Sequence, residues 1–334
     1  MGITANIDNL KYAKKVIHDQ GIRAGIGNAL IVNEAINRGL SVSGTPSGKA
    51  LLSRGSGRSF YWRNGVSSIN HKLARKIVPQ KEVTSRILRA SGILCGESVV
   101  FQANSVERAW AWGQYALPLV VKPFNASQGR GVHIGVESKE SFVKAFEAVA
   151  RDHGDVLVEN FMSGTEHRVL SVDNELVAAT RREPAHVIGD GRNSVKKLIR
   201  LKNKNRGPVH KNIKIDERVH ENLNSGGLAI NSVPADGQKV YLRKTSNLHT
   251  GGDAVDATDE LSPDEREFVV RAARAIPGLR VAGIDVLLPR RETDEAPAIL
   301  EVNPFPMISM HHFPAAGRPR DVAGPIVRAM FPST

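Results

Sequence analysis

One cysteine, Cys95, is present in 334 residues. A lone thiol excludes an internal disulfide framework and a cysteine-rich metal site, and it fits a reducing compartment. Its neighbours Ile93 and Leu94 mark it as a buried structural thiol rather than a nucleophile. Aromatic residues are scarce at 5%. With no zinc-finger spacing and no RNP-type motif, that scarcity weighs against a nucleic-acid partner. No stretch approaches the roughly 18–20 apolar residues of a membrane span, and the N-terminus lacks a signal-peptide core. The expectation is therefore a cytoplasmic protein with no membrane partner. The Walker A pattern GxxxxGK[ST] is missing too, so a phosphate site would need another design. Acidic residues are in deficit, 34 Asp+Glu against 46 Lys+Arg, for a net charge of +12. Such a balance favours anionic partners, either nucleic acid or small anions such as ATP and carboxylates.

Hydrophobic content of 41% and charged content of 24% are ordinary for a globular chain, and the length suits two or three lobes. Residues 117–136, LPLVVKPFNASQGRGVHIGV, organise the reading. An apolar strand ends in Lys122–Pro123, a loop with Gly129 and Gly131 follows, and a second strand starts at Val132. A small-residue loop between strands can aim backbone N–H groups at an anion. Lys122 adds a compact positive charge beside it. The stretch reads as a polyphosphate cradle.

Residues 1–78 alternate short apolar patches with glycines and basic residues and read as a small preliminary lobe. GIRAGIGNAL at 21–30 superficially matches a dinucleotide fingerprint, but its spacing is wrong and no strand precedes it. Residues 42–57 read as turns or an exposed hairpin. Val83, Ile87 and Leu88 recur at helical spacing with Gly92 as C-cap. Lys81 lies in that helix's first turn, where a cation is disfavoured unless an anion is to be met. Ser138 and Ser262 read as N-caps, the latter with Pro263 and Glu265 in capping-box positions. Asp173–Asn174 between 168–172 and 176–182 is a hairpin signature. The basic run within 186–216 reads either as a solvated segment or as a lid over phosphates. Arg243, Ser246, Asn247, Thr250, Gly251 and Gly252 concentrate donors around a tight turn.

Near the end, Asp285 lies inside an apolar strand (VAGIDVLL), and Glu301 and Asn303 lie in ILEVNP. Positions i and i+2 of a strand share a face, so Glu301 and Asn303 project together, and pairing of the two strands brings in Asp285. Three oxygen-bearing side chains on an apolar hairpin call for a positive occupant, and Mg²⁺ completed by substrate phosphates is the natural one.

With these motifs the chain resembles the ATP-grasp carboxylate–amine ligases, most closely the ATP-grasp portion of cyanophycin synthetases. Related patterns occur in D-alanine–D-alanine ligases and bifunctional glutathione synthetases. The resemblance spans 79–334 and is carried by LVVKPFNASQGRGV, VLVENFMSGTEHRVL, AATRREPAHVIGDG, SNLHTGGDAVDATDE, AGIDVLL, ILEVNPFPMISMHHFP and GRPRDVA. It implies an α/β (α+β) ATP-grasp fold: two lobes, 79–162 and 163–334 with a basic lid at 186–216, clasping the nucleotide after a small N-terminal lobe, 1–78. It implies that Lys81 and Lys122 contact ATP phosphates beneath a loop of Ser127, Gln128, Gly129 and Gly131. Glu159 and the backbone of Asn160, Phe161 and Met162 would hold adenine, and Glu166 the ribose. Asp285, Glu301 and Asn303 would bind two Mg²⁺ ions, with Mn²⁺ able to substitute.

Many relatives carry an arginine two residues before the metal aspartate, where this chain has Gly283. Arg243 is expected to supply the missing charge, with Arg168 next in line. Gln80 stands where an aspartate usually precedes the lysine at 81. Asn247, Gly251, Gly252, His311, His312, Arg318 and Arg320 are expected around the substrates. The implied reaction joins an amino-acid or peptide carboxylate to an amine through an acyl phosphate. Nothing in the chain supplies the second, Mur-ligase-like site of cyanophycin synthetases. Two competing readings are an ATP-grasp kinase and a nucleic-acid module built on 196–214. The substrates' identity is open, as is the oligomeric state, a homo-oligomer included.

Overall fold

The computed structural model describes residues 7–124, 131–292 and 296–332. Helices α1 (Lys11–Asp19) and α2 (Ile26–Asn37) come first. The sequence reading found no helix there. α2 buries Ala29, Leu30, Ile31, Val32 and Ala35 in close succession, so it lacks the one-sided apolar stripe by which a surface helix is recognised. Strands β1 (Ser41–Gly44), β2 (Ala50–Ser53), β3 (Ser59–Arg63) and β4 (Val66–Ser67) form an antiparallel sheet in sequence order.

Helices α3 (Lys72–Ile77) and α4 (Lys81–Ala90) follow. A second antiparallel sheet, in the order β5-β8-β6-β7, is built from β5 (Ser98–Phe101), β6 (Leu119–Pro123), β7 (His133–Val136) and β8 (Val156–Asn160). Helices α5 (Val106–Gly113) and α6 (Lys139–His153) cover one face of it, and Ser138 caps α6 in a reciprocal box with Ser141. The third and largest sheet uses β9 (Thr165–Val172) and β10 (Glu175–Glu183) as a hairpin. Its turn residues Asp173 and Asn174 both have positive φ, +49° and +65°, as a two-residue hairpin turn requires.

Between β10 and the rest of that sheet lies a folded unit: β11 (His186–Ile188), α7 (Val195–Lys204), α8 (Glu217–Ser225) and β12 (Lys239–Tyr241). Val187, Val195, Leu198, Ile199, Ile213, Val219, Leu223, Val240 and Leu242 give it a core of its own. The basic run expected as a solvated segment or lid at 186–216 is thus part of a packed unit that continues through Leu242. Its charges mask a helix whose apolar face, Val195, Leu198 and Ile199, is buried.

β13 (Asp253–Asp256), helix α9 (Pro263–Arg274), β14 (Val281–Leu288) and β15 (Ala298–Asn303) complete the five-stranded sheet, ordered β13-β10-β9-β14-β15. α9 starts with the expected capping box between Ser262 and Glu265. Short α10 (Ser309–His312) and α11 (Ala323–Met330) end the fold.

Alternation along the strands divides the large sheet into two faces. Val169, Ala179, Ile284, Val286 and Val302 pack with α9, with Leu88 of α4, and with Ile93 and Cys95 that follow it. Residues 81–95 therefore belong to this core rather than to the small sheet of the expected 79–162 lobe. On the opposite face, Leu170, Val172, Ala178 and Val281 pack against α2, α11 and β2–β3 in one core. This seals one end of that face and leaves the other end, with its charged residues, for chemistry. Asn70 fastens the join. Its amide donates to the carbonyls of Val281 (2.8 Å) and Pro304 (3.0 Å) and accepts from the N–H groups of Arg280 and Val281.

Candidate active site

Strand register builds the site. Arg168 on β9 lies opposite Asp285 on β14, and Asp285 lies opposite Glu301 on β15. Gly283 lies opposite Asn303 in the same hairpin. Directly opposed residues hold their Cβ atoms about 4.5–5.5 Å apart, so the three expected metal ligands share one patch. A bulge after Asp285 keeps Glu301 and Asn303 on the site face while Ile299 turns into the core.

Cations neutralise the patch. Arg168 contacts Asp285 through Nε and through Nη2, the latter at 2.7 Å from Oδ2. Arg182 on β10 places Nη1 at 2.9 Å from Glu166 Oε1 and 3.7 Å from Asp285 Oδ1. Glu166 also accepts a bond from the hydroxyl of Ser246. Lys81 Nζ, at the uncapped start of α4, stands 3.7 Å from Glu301 Oε1. Burial pushes the Asp285 carboxyl up to about 6, against the pull of Arg168 and Arg182. A buried carboxylate in this position gains from any additional positive charge.

The donor chemistry fits magnesium. Among the described residues no three His, Cys, Asp or Glu side chains converge as a metal cage. Two carboxylates and one amide oxygen are instead what Mg²⁺ uses when phosphates complete its shell. Asn303 Oδ1 already accepts from Phe305 N–H at 2.8 Å, which fixes its orientation.

Lys122 and Glu159 form a second group on the small sheet, bonded at 2.5 Å. Ser127, Gln128 and Gly129 lie outside the described residues. Gly131, at φ +67°, sits against Pro123 and His153. Asn160 and Phe161 N–H groups donate to Glu97 and Pro118 carbonyls, and the Asn160 carboxamide accepts from Glu97 N–H. These bonds hold the end of β8 in its sheet.

Several expected residues have other partners. Arg243 is bound to Asp216 at 2.6 Å within the inserted unit, while the space over Gly283 is filled by Arg168. A Cβ at 283 would lie 2.8 Å from Arg168 Nη1. The nearest candidate for the missing charge is thus Arg168, aided by Arg182, which the sequence reading overlooked. Its signal was there: Arg182 is two residues from Thr180, which opposes Arg168, so alternation puts it on the site face.

Gly251 and Gly252 sit where the inserted unit is clasped to the sheet. Lys202 and Arg206 both grip Asp253, at 2.6 and 3.0 Å, and Arg206 donates to both glycine carbonyls. A Cβ on Gly252 would meet three backbone carbonyl oxygens at 2.8–2.9 Å, so close packing accounts for that glycine. The Asn247 side chain accepts from His249 N–H and caps a short turn.

Arg320 is held by Asp256 and Asp259, each at an Nη2–oxygen distance near 2.6–2.7 Å. Arg318 is exposed, with Asp259 3.6 Å away. His311 is 1% exposed, its Nδ1 has no hydrogen-bond partner among the described residues, and burial pushes its imidazole down to about 3, so it is neutral. His312 is likewise pushed down by burial. Cys95 is buried 3.5 Å from the Ser85 carbonyl, and burial pushes its thiol up.

No protein-family model matches the chain. Cyanophycin synthetase of Nostoc sp. is 39% identical over 274 residues, 78% of this chain and 30% of that protein. The glutathione biosynthesis bifunctional protein GshAB of Pasteurella multocida is 35% identical over 292 residues, 81% of this chain and 38% of that protein. The crystal structure of a bifunctional glutathione synthetase from Pasteurella multocida matches with a TM-score of 0.72 at 32% identity, covering 92% of this chain and 44% of that one. The chain spans less than half the length of these relatives. In sequence and fold alike, the chain belongs to the ATP-grasp family, resembling portions of cyanophycin synthetases and bifunctional glutathione synthetases.

Proposed function

We propose that the protein is an ATP-dependent carboxylate–amine ligase that acts on an amino-acid or peptide carboxylate. The observation that carries this reading is the in-register row Arg168–Asp285–Glu301, with Asn303 beside it. It sets cations and oxygen donors side by side on the open end of a sheet face. In this proposal Asp285, Glu301 and Asn303 hold two Mg²⁺ ions, for which Mn²⁺ can substitute. When bound, these ions neutralise the charge on the transferring phosphoryl group.

Lys81 and Lys122 bind phosphate oxygens. Glu159 and the backbone of Asn160, Phe161 and Met162 hold adenine, and Glu166 exchanges its arginine contact for the ribose hydroxyls. Arg168 orients the substrate carboxylate, one oxygen of which attacks the γ-phosphorus as ADP leaves. The amine nitrogen then attacks the acyl carbon, inorganic phosphate departs, and the amine proton passes to solvent. Arg243 joins this chemistry once its pair with Asp216 opens. The 185–242 unit, clasped beside Glu166, excludes water from the acyl phosphate. The single buried thiol suits a cytoplasmic setting.

The test is ADP release by purified protein with Mg²⁺ and ATP over paired carboxylates and amines, with hydroxylamine as a surrogate acceptor. The proposal expects carboxylate-dependent ADP and a hydroxamate or amide detected by mass spectrometry. Phosphate retained on a stable hydroxyl product, or no ADP with any pair, would overturn it.

A further inference from the structure

Arg182 contacts two carboxylates with different expected duties. One Nη1 lies 2.9 Å from Glu166 and 3.7 Å from Asp285. Its side chain is 15% exposed and that of Asp285 8%, so water does little to screen either charge. Around them Glu166, Asp285 and Glu301 are matched by Arg182, Arg168 and Lys81. The patch is therefore balanced by the protein's own charges. A second donor from the same guanidinium reaches the Ser246 carbonyl at 3.4 Å, tying it to the loop beside the inserted unit.

We infer that Arg182 is an internal counter-ion that makes metal entry depend on nucleotide. The inference rests on the nucleotide reading of the site. A divalent ion arriving alone must compete with Arg168 for Asp285 while Arg182, held by Glu166, remains 3.7 Å away as a like charge. Metal arriving with a triphosphate changes the balance. The ribose competes for Glu166, the phosphates attract the released guanidinium, and both carboxylates keep a partner. Such a shared group couples two ligands reciprocally. Arg168 does not serve this way, because its contact is with Asp285 and the space over Gly283 confines it.

The test titrates Mn²⁺ into the full chain without nucleotide, following the free-ion signal by electron paramagnetic resonance, and repeats the titration with ATP present. Arg182→Met should bind Mn²⁺ alone roughly tenfold tighter than the native protein, because a like charge near the ligand has gone. With ATP present the advantage should vanish or reverse. Arg182→Lys, which keeps the charge but spans only one carboxylate, should fall between the two. It also serves as the decisive variant if the methionine form does not fold. Equal nucleotide-free Mn²⁺ affinity in native and variant proteins, with Mn²⁺–ATP bound by both, overturns the inference and leaves the site reading intact. Native protein that binds no Mn²⁺ even with ATP overturns the site reading itself.

Discussion

Arg320→Ala removes a guanidinium that holds Asp256 through Nε at 3.0 Å and Nη2 at 2.6 Å, and reaches Asp259 at 2.7 Å. The Asp256 side chain is 6% exposed. Stranding one partner of a buried ion pair commonly costs about 3–5 kcal/mol. Three bonds survive, from Thr258 Oγ1 at 2.7 Å, Thr258 N–H at 3.2 Å and Arg318 N–H at 3.3 Å, and Arg320 itself is 19% exposed. These features bring the expectation to about 2–3 kcal/mol. For a chain of this size the loss should lower Tm by roughly 3–4 °C.

Burial tends to raise the Asp256 carboxyl, but the bonds from Arg320 and Thr258 outweigh it and hold it below its ordinary value. A depressed carboxyl stabilises above its unfolded pKa, about 3.9, and loses that contribution as pH falls through the folded value. The stability gap between native and variant protein should therefore be full at pH 7 and close in acid. Melts followed by circular dichroism across that range check this, alongside ADP release at saturating substrates and 25 °C. Turnover should change less than about threefold, since the contacts of Arg320 are structural. Unchanged stability with abolished turnover would refute the reasoning and return Arg320 to the acceptor pocket that the sequence led one to expect.

His210 and His311 are buried and pushed down to about 4 and about 3. Each should cost roughly 2 kcal/mol of stability between pH 7 and pH 5, because unfolding frees a group that binds a proton near 6.5. Urea midpoints at the two pH values, flattened by His210→Asn or His311→Asn, check it. Gly252→Ala should destabilise by about 1–3 kcal/mol by guanidinium unfolding, since the three carbonyls facing it are backbone and cannot rotate away. Glu301→Gln, at a side chain 45% exposed, should leave the melt within about 0.5 kcal/mol of native. In the ADP assay it should lower turnover by roughly a hundredfold or more through the lost charge at the metal.

Local chemistry made much of this protein readable in advance. The Ser138 and Ser262 caps, the Asp173–Asn174 turn and the Asp285, Glu301 and Asn303 patch follow from residues close in sequence or from strand alternation. What stayed hidden depends on distant neighbours. α2 is buried on too many sides to show an amphipathic period. The cations of α7 obscure its buried Val195, Leu198 and Ile199. Arg243 and Arg320 look available until Asp216, Asp256 and Asp259 are placed beside them. Arg182 escaped notice because its importance comes from facing Glu166 across a hairpin and Asp285 one strand further on.

The core shared by α2 and α11 has a consequence for biosynthesis. As the chain leaves the ribosome, α2 emerges with a greasy surface, part of which is covered by α11 and joins the β9 and β14 residues of the same core. That surface stays open until nearly all the described elements have been made, which delays closure and invites misassociation. Trimming α11 should therefore harm the opening helices more than the nearby strands, and yield of soluble product would reveal it.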